Sequence, residues 1–277
     1  MKRPIGQHFL FDPRILKKIV DCAGITPADT VVEIGPGKGI MTRILAERAK
    51  KVLALELDRK LAAELKGVFA GKSNVEIIEA DAMEFPYETI NGTFKVVANI
   101  PYYATTPILF RLLEFKEKIT SMTLLLQKEV ARRIIASPGG KDYGVLSITT
   151  QLYTKPKLKF SVSHGSFTPP PKVDSAVVHF EVSPTPLYKI KDETLFLKVV
   201  RTAFSHRRKT IMNSLRSLVE IEVNLQPSAF SLSQIKEAVH KANIDPKSRP
   251  EVLSIKDFAR LSDALLFFSH AGAQNDK

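Results

Sequence analysis

The chain has a single cysteine, Cys22, among 277 residues. That excludes an internal disulfide and makes a zinc site implausible, so no metal is expected and a reducing compartment is the natural home. Long apolar runs are missing too. None approaches the roughly 20 residues that cross a bilayer, and Met1-Lys2-Arg3-Pro4 leads into polar and charged residues, not the apolar segment of a secretion signal. The expectation is a cytoplasmic protein that meets no membrane. Acids are scarce relative to bases: 29 Asp and Glu against 41 Lys and Arg leave a net charge of +12, which favours a polyanionic partner. The length allows one large domain and a small one, and a hydrophobic content of 44% suffices for an ordinary core.

Charge distribution is more informative than its sum. From Lys198 to Arg216 there are six Lys or Arg and no acid, with Arg207, Arg208 and Lys209 consecutive. A second basic zone holds Lys128, Arg132 and Arg133, on a helix expected after the strand Met122 to Leu126. These six residues are the candidates for phosphate contact with a nucleic acid. Lys155, Lys157 and Lys159 alternate, as the solvent face of a strand does.

Thr30 to Ile34 is a short, β-branched apolar run that meets the glycines of Gly35-Pro36-Gly37-Lys38-Gly39, and Ile40 to Ala46 then follows a helical apolar pattern. This reads as strand, glycine turn and helix. A second strand, Val52 to Leu55, ends at Glu56, an acid placed to accept hydrogen bonds from ribose hydroxyls. Nicotinamide-binding folds use the same device, but their G-x-G-x-x-G spacing fails here: counting from Gly35 puts Ile40 in the third slot, and counting from Gly37 puts Thr42 there. What remains is E-x-G-x-G-x-G, which lets the backbone approach a nucleoside closely without requiring a pyrophosphate. S-adenosylmethionine suits it as a methyl donor.

A third strand, Val75 to Glu79, ends in Ala80-Asp81-Ala82, where an acid can take a bond from the donor's adenine amino group, and a fourth, Phe94 to Ala98, delivers Asn99-Ile100-Pro101-Tyr102. Four successive strand ends thus present Gly35, Glu56, Asp81 and Asn99 on one sheet edge, where open α/β sheets gather ligands. Asn-x-Pro-Tyr by itself is equally a tight turn. Beside a donor loop it suits methylation of an amide-like amine. The Asn99 oxygen and the carbonyl before Pro101 can accept the two hydrogens of an exocyclic adenine nitrogen and aim its lone pair at the methyl group, while Tyr102 stacks on the unpaired base.

From Gly6-Gln7-His8-Phe9-Leu10, through Phe167-Thr168-Pro169-Pro170-Pro171-Lys172-Val173-Asp174-Ser175, to Ala203-Phe204-Ser205-His206-Arg207-Arg208-Lys209-Thr210-Ile211, the chain resembles the small-subunit ribosomal RNA adenine dimethyltransferases, the KsgA family. The resemblance covers nearly the whole length. It implies dimethylation, from S-adenosylmethionine, of N6 on two adjacent adenosines near the 3′ end of 16S rRNA, within an immature 30S subunit, by a monomer with a part in subunit biogenesis. It implies donor contacts at His8, Leu10, Gly35, Gly37, Glu56, Asp81, Ala82 and Asn99. Asn99, Pro101 and Tyr102 would hold the base, and Phe167 would cover its other face. His8 stands where many members carry Asn.

The implied fold is an α/β class I S-adenosylmethionine-dependent methyltransferase: a Rossmann-like, seven-stranded sheet whose last strand runs antiparallel, followed by a small all-helical domain. A closing strand pair is expected at Lys157 to Val162 and Ser175 to Val182, and Ser183-Pro184-Thr185-Pro186 marks the boundary. The catalytic domain is then 1–184 and the helical substrate-docking domain 185–277, ending near His270 with a frayed tail from Ala271. Erythromycin-resistance methyltransferases of 23S rRNA share the Asn-Ile-Pro-Tyr turn, but the segment Arg207 to Leu215 favours the small-subunit family. DNA adenine methyltransferases are a weaker match, and a non-catalytic ribosome-assembly factor would not need intact donor and base motifs.

Overall fold

The computed structural model describes residues 8–206, 208–220 and 230–272. Among the described residues nine strands are found: β1 (Phe9–Leu10), β2 (Thr30–Ile34), β3 (Lys51–Glu56), β4 (Val75–Glu79), β5 (Phe94–Asn99), β6 (Ile119–Gln127), β7 (Thr154–Val162), β8 (Phe167–Thr168) and β9 (Ser175–Val182). Among them run the helices α1 (Pro13–Ala23), α2 (Ile40–Ala46), α3 (Arg59–Val68), α4 (Thr105–Glu114), α5 (Lys128–Ile135) and α6 (Val145–Tyr153), followed by α7 (Glu193–Phe204), α8 (Ile211–Leu215), α9 (Ser217–Glu220), α10 (Leu232–Lys241) and α11 (Ile255–Gly272).

Seven strands form one sheet in the order β4-β3-β2-β5-β6-β9-β7. β2 pairs parallel with β3 and β5, while β9 pairs antiparallel with both β6 and β7. The last strand is therefore inserted between its two predecessors, and the expected seven-stranded class I sheet is present. Its closing strand β7 begins at Thr154, three residues before the expected Lys157, and tolerates Pro156 because it is an edge strand that needs no second ladder. The chain steps outward from β2 through β3 to β4 and then restarts on the other side with β5. That reversal opens a crevice at the carboxyl ends of β2 and β5.

Local signals explain how the loops enter this crevice. α1 starts with Asp12 accepting from the Arg14 amide and with Pro13 in the first turn, and it ends at left-handed Gly24. Gly39, at φ 74°, precedes α2; a Cβ there would come within 2.7 Å of Leu65 and 2.9 Å of Phe69 on the α3 side. Only glycine lets these helices approach so closely. Helices α1 and α2 share an apolar cluster with Val31, Val52, Val97 and Leu125, and α3 packs with Ala54 and Ile77. Alternation places Glu33 on this same sheet face.

Two compact units result: residues 1–135 with 153–185, and 136–152 with 186–277. The boundary near 185 lies beside the Ser183–Pro186 segment, but assigning all of 1–184 to the first unit needs correction, since 136–152 belongs with the helical unit. Buried Tyr143, Leu146, Ile148 and Leu152 explain why. The Tyr143 ring meets Phe204 at 6.2 Å, the Gly139 amide donates to the Glu251 carbonyl at 2.7 Å, and the Leu187 amide to that of Leu152 at 2.8 Å. No local periodicity announces such a long-range exchange. In the helical unit, α11 reaches Gly272, two residues past the expected end, and the rest of the expected tail lies outside the described residues.

A small second sheet was not anticipated. Phe9 and Leu10 pair antiparallel with Thr168 and Phe167, tying the segment before α1 to the proline loop. Strands of two residues carry too little pattern to be seen in sequence.

Candidate active site

The four strand ends expected together are neighbours in the sheet order β4-β3-β2-β5. Asp81 follows β4, Glu56 ends β3, Gly35 follows β2 and Asn99 ends β5. Gly35 is left-handed, φ 70°, and a Cβ on it would stand 3.5 Å from the Asn99 carbonyl oxygen. Three pockets of about 550, 370 and 1030 Å³ open along this edge, and Gly35 lines all of them. They make one trough with distinct ends.

The largest pocket is bounded by Glu56, Asp81, Ala82 and Pro101, with Leu57, Met83, Tyr103 and Ile108 supplying apolar walls. The Asp81 carboxylate accepts from the Met83 amide at 2.8 Å through one oxygen, leaving the other open to a donor in the pocket. Ala82 is buried, its carbonyl accepting from the Tyr87 hydroxyl at 2.9 Å. Asp58 is the N-cap of α3, accepting from the Lys60 and Leu61 amides. Glu56, 5% exposed, accepts from the Gly37 amide at 3.2 Å and the Asp58 amide at 3.0 Å. Burial raises its carboxyl above the ordinary range, against the pull of these amides. Each oxygen keeps a lone pair for a ligand hydroxyl.

The 550 Å³ pocket holds the expected base-turn residues Asn99, Pro101, Tyr102 and Phe167 together with His8, Gly37 and Glu56. The half-buried Asn99 side chain bonds to no described residue. Phe167, 3% exposed, is anchored in the core by its β1 partner. The Tyr102 ring lies 5.6 Å from the His8 imidazole, and its hydroxyl is 2.6 Å from Ser175 Oγ. Desolvation raises the Tyr102 phenol, which the Ser175 bond opposes. His8 Nδ1 sits 2.7 Å from the Pro169 carbonyl and must carry the proton to donate there, leaving Nε2 as the free nitrogen.

The third pocket adds Leu10 and Phe9 to the glycine loop. Phe9 leans on Gly37, where a Cβ would meet its ring at 3.1 Å. This pocket also reaches Glu33, which is wholly buried on β2 with neither carboxylate oxygen hydrogen-bonded. The sequence reading held Glu33 only as the first residue of E-x-G-x-G-x-G, with no role of its own, and missed Ser175 as the partner of Tyr102. A charge in the middle of the buried strand Thr-Val-Val-Glu-Ile was the available signal for Glu33. Ser175 had none, because only the fold brings it to Tyr102.

The basic candidates divide between the units. Lys128, Arg132 and Arg133 lie exposed on α5, with the Lys128 ammonium 3.9 Å from Asp174. Arg208 and Lys209 are exposed between α7 and α8, and Arg207 lies outside the described residues.

The Asn99-Ile100-Pro101-Tyr102 turn and the glycines after β2 thus line one pocket. The sequence profile of the ribosomal RNA adenine dimethylases matches residues 1–260. The chain belongs to that family. Ribosomal RNA small subunit methyltransferase A of Moorella thermoacetica is 43% identical over 271 residues, covering 94% of this chain and 91% of that protein. A dimethyladenosine transferase from Plasmodium falciparum superposes with a TM-score of 0.76 at 29% identity, over 96% of this chain and 98% of its own. The 23S rRNA methyltransferase ErmE gives 0.70 and 27%, over 93% of this chain and 99% of its own. The chain is thus an S-adenosylmethionine-dependent enzyme of rRNA adenine dimethylation, and the small-subunit relatives stand nearer than the 23S one. No described helix is long and apolar enough to cross a membrane.

Proposed function

We propose that this enzyme dimethylates N6 of two adjacent adenosines near the 3′ end of 16S rRNA in immature 30S subunits, acting as a cytoplasmic monomer, with the trough described above as its catalytic centre. The carrying observation is the adjacency of Asn99 to Gly35 at the β2/β5 crevice, which puts the base turn and the nucleoside trough in one cleft.

The residues fit S-adenosylmethionine. Glu56 offers carboxylate lone pairs to ribose hydroxyls, Asp81 and Ala82 close on the adenine, and Gly35, Gly37, Leu10 and His8 frame the amino-acid end. When bound, the donor supplies a methyl group made electrophilic by a sulfonium. The protein's work is then positioning. Asn99 Oδ1 and the Ile100 carbonyl accept the two amine hydrogens of the target, Pro101 fixes the turn, and Tyr102 and Phe167 hold the base on its two faces. The target nitrogen forms its bond to the methyl carbon as the carbon–sulfur bond breaks. Its proton turns acidic only as that bond forms and then passes to solvent, so the reaction requires no general base. Repetition on the monomethylated amine gives the dimethyl product.

Losing the Glu56 carboxylate should weaken donor binding by about 1.5 to 3 kcal/mol, the worth of charge-assisted bonds to hydroxyls. Calorimetric titration of Glu56→Ala with S-adenosylhomocysteine measures this, and unchanged affinity would remove Glu56 from the donor site. Lys128, Arg132, Arg133, Arg207, Arg208 and Lys209 act on RNA phosphates and not on the base. Neutralising Arg208 and Lys209 with Arg207 should weaken subunit binding and flatten its salt dependence, with donor affinity untouched. Equal salt slopes for variant and parent would count against this docking role. Methyl incorporation into separated immature 30S subunits, 50S subunits and duplex DNA tests the whole reading. Label entering 50S subunits alone would transfer it to the 23S-modifying class.

A further inference from the structure

The two aromatic rings assigned to the base come from segments far apart in the chain: Tyr102 stands in the turn after β5, and Phe167 on β8. A planar base between two rings needs them roughly 7 Å apart, two contacts of about 3.5 Å each. The β1 strap pairs Phe167 with Leu10, whose neighbour Phe9 leans on Gly37, so it fixes Phe167 against the donor side of the trough. Tyr102 is held elsewhere. Among the described residues its side-chain hydrogen bond is to Ser175 Oγ, at 2.6 Å.

Asp174, the residue before Ser175, grips the other wall. Phe167 is reached from β7 through Ser163 and the short turn His164–Ser166, and the Phe167 amide donates to the His164 carbonyl. One oxygen of Asp174, Oδ1, accepts from both donors of His164, the backbone amide at 3.1 Å and ring Nδ1 at 3.0 Å. The other, Oδ2, lies 3.9 Å from the Lys128 ammonium, and the Lys128 amide donates to the Asp174 carbonyl at 3.0 Å, which ties Asp174 to the first residue of α5. The bonds from His164, with a smaller pull from Lys128, hold the Asp174 carboxyl below its ordinary range. Residues 163–174 leave and re-enter the sheet at the Val162–Ser175 pair. At that neck, two consecutive residues hold opposite walls of the pocket: Ser175 the Tyr102 hydroxyl, and Asp174 the turn that delivers Phe167. The methyl-transfer scheme gives neither Asp174 nor His164 a task.

We propose that Asp174 is a positioning residue of the target-base pocket: by fastening the His164 turn to the strand end that also holds Tyr102, it fixes the gap between Phe167 and Tyr102 at the thickness of one base. Asp174 touches no reacting atom and acts through Phe167. Loosening that wall costs orientation and not affinity. The base still enters, but its amine is held less well in line with the methyl group, and a misplacement of about 1 Å can cost roughly 10²-fold in rate.

This inference rests on the reading that Tyr102 and Phe167 flank the base, and a double-mutant cycle separates the two. Single-turnover methyl transfer to immature 30S subunits, with donor and subunit saturating, is measured for Asp174→Ala, Phe167→Ala and the double variant. Asp174→Ala should lower the rate constant by roughly 10- to 100-fold, while affinity for S-adenosylhomocysteine and for the subunit stays within about twofold. Once Phe167 is gone, removing Asp174 should cost little more, because nothing is left for it to position. Asp174→Asn, which keeps an oxygen for His164, should recover most of the rate. His164→Ala breaks the same link from its exposed end and should cost about threefold to tenfold, the worth of one hydrogen bond. An unchanged rate constant in Asp174→Ala would overturn the proposal, and so would losses that multiply in the double variant. A change in subunit affinity alone would make Asp174 a brake on Lys128 and equally overturn it. If Asp174→Ala no longer binds S-adenosylhomocysteine, the site has collapsed and His164→Ala decides, an unaltered rate there sinking the positioning role. Full activity in Phe167→Ala would overturn the reading of the base pocket and this inference with it.

Discussion

Asn99→Ala should lower the rate constant for methyl transfer by about 10²- to 10³-fold, some 2.7 to 4 kcal/mol of transition-state stabilisation, with far less effect on subunit affinity. The amide oxygen accepts from an amine whose hydrogens become more acidic as positive charge develops on the nitrogen, so its bond strengthens along the reaction. In the free protein the side chain has no described partner, so the truncation breaks no internal hydrogen bond. The backbone of Asn99 remains paired in β5, which argues against a general collapse of the site. Single-turnover kinetics on immature small subunits, with donor saturating, reads the step directly. A variant in which binding falls and the transfer rate does not would make Asn99 a docking residue and leave the orientation of the amine to the backbone alone.

Tyr102→Ala should be almost as damaging, lowering the rate constant over the Michaelis constant by roughly 10²-fold. A base–aromatic stack is worth about 1 to 3 kcal/mol, and without the ring the base has only Phe167. Tyr102→Phe keeps the ring but severs the 2.6 Å contact with Ser175, a residue that is fully buried. It should cost less than tenfold, as a neutral hydrogen bond contributes about 0.5 to 1.5 kcal/mol. Ser175→Ala should resemble Tyr102→Phe, and the double variant should be no worse than either single change, because both remove one interaction. The hydroxyl pair holds the ring; it does not take part in transfer. If Tyr102→Phe were as inactive as Tyr102→Ala, the stacking role would give way to one that depends on the hydroxyl.

Much of this molecule is legible residue by residue. The β-branched run before Gly35 and the acids after β3 and β4 identify parallel strands and their ligand-facing ends. The failed dinucleotide spacing turns the reading from NAD to a methyl donor, because each signal lies within a few residues of the backbone feature it specifies. The bounds of α1 are set locally, since Asp12, Pro13 and Gly24 act through local backbone geometry. Resemblance supplied His8, Leu10 and Phe167, which no local pattern would have nominated.

By itself the sequence determined parallel strands alternating with helices, the glycine turn after β2 and the Asn-Ile-Pro-Tyr turn after β5, because periodicity, glycine spacing and caps act over distances of one turn or one strand, while the class of sheet came from the resemblance. Tertiary structure alone decided what those parts touch. It strapped Phe9 and Leu10 onto Phe167 and Thr168, set Ser175 behind Tyr102, and moved residues 136–152 into the helical unit. It also left Glu33 buried without a partner. Whether a carboxylate in the chain meets water, a cation or only apolar walls depends on segments distant in sequence. The free energy of its charge is set by that company and not by its neighbours along the chain.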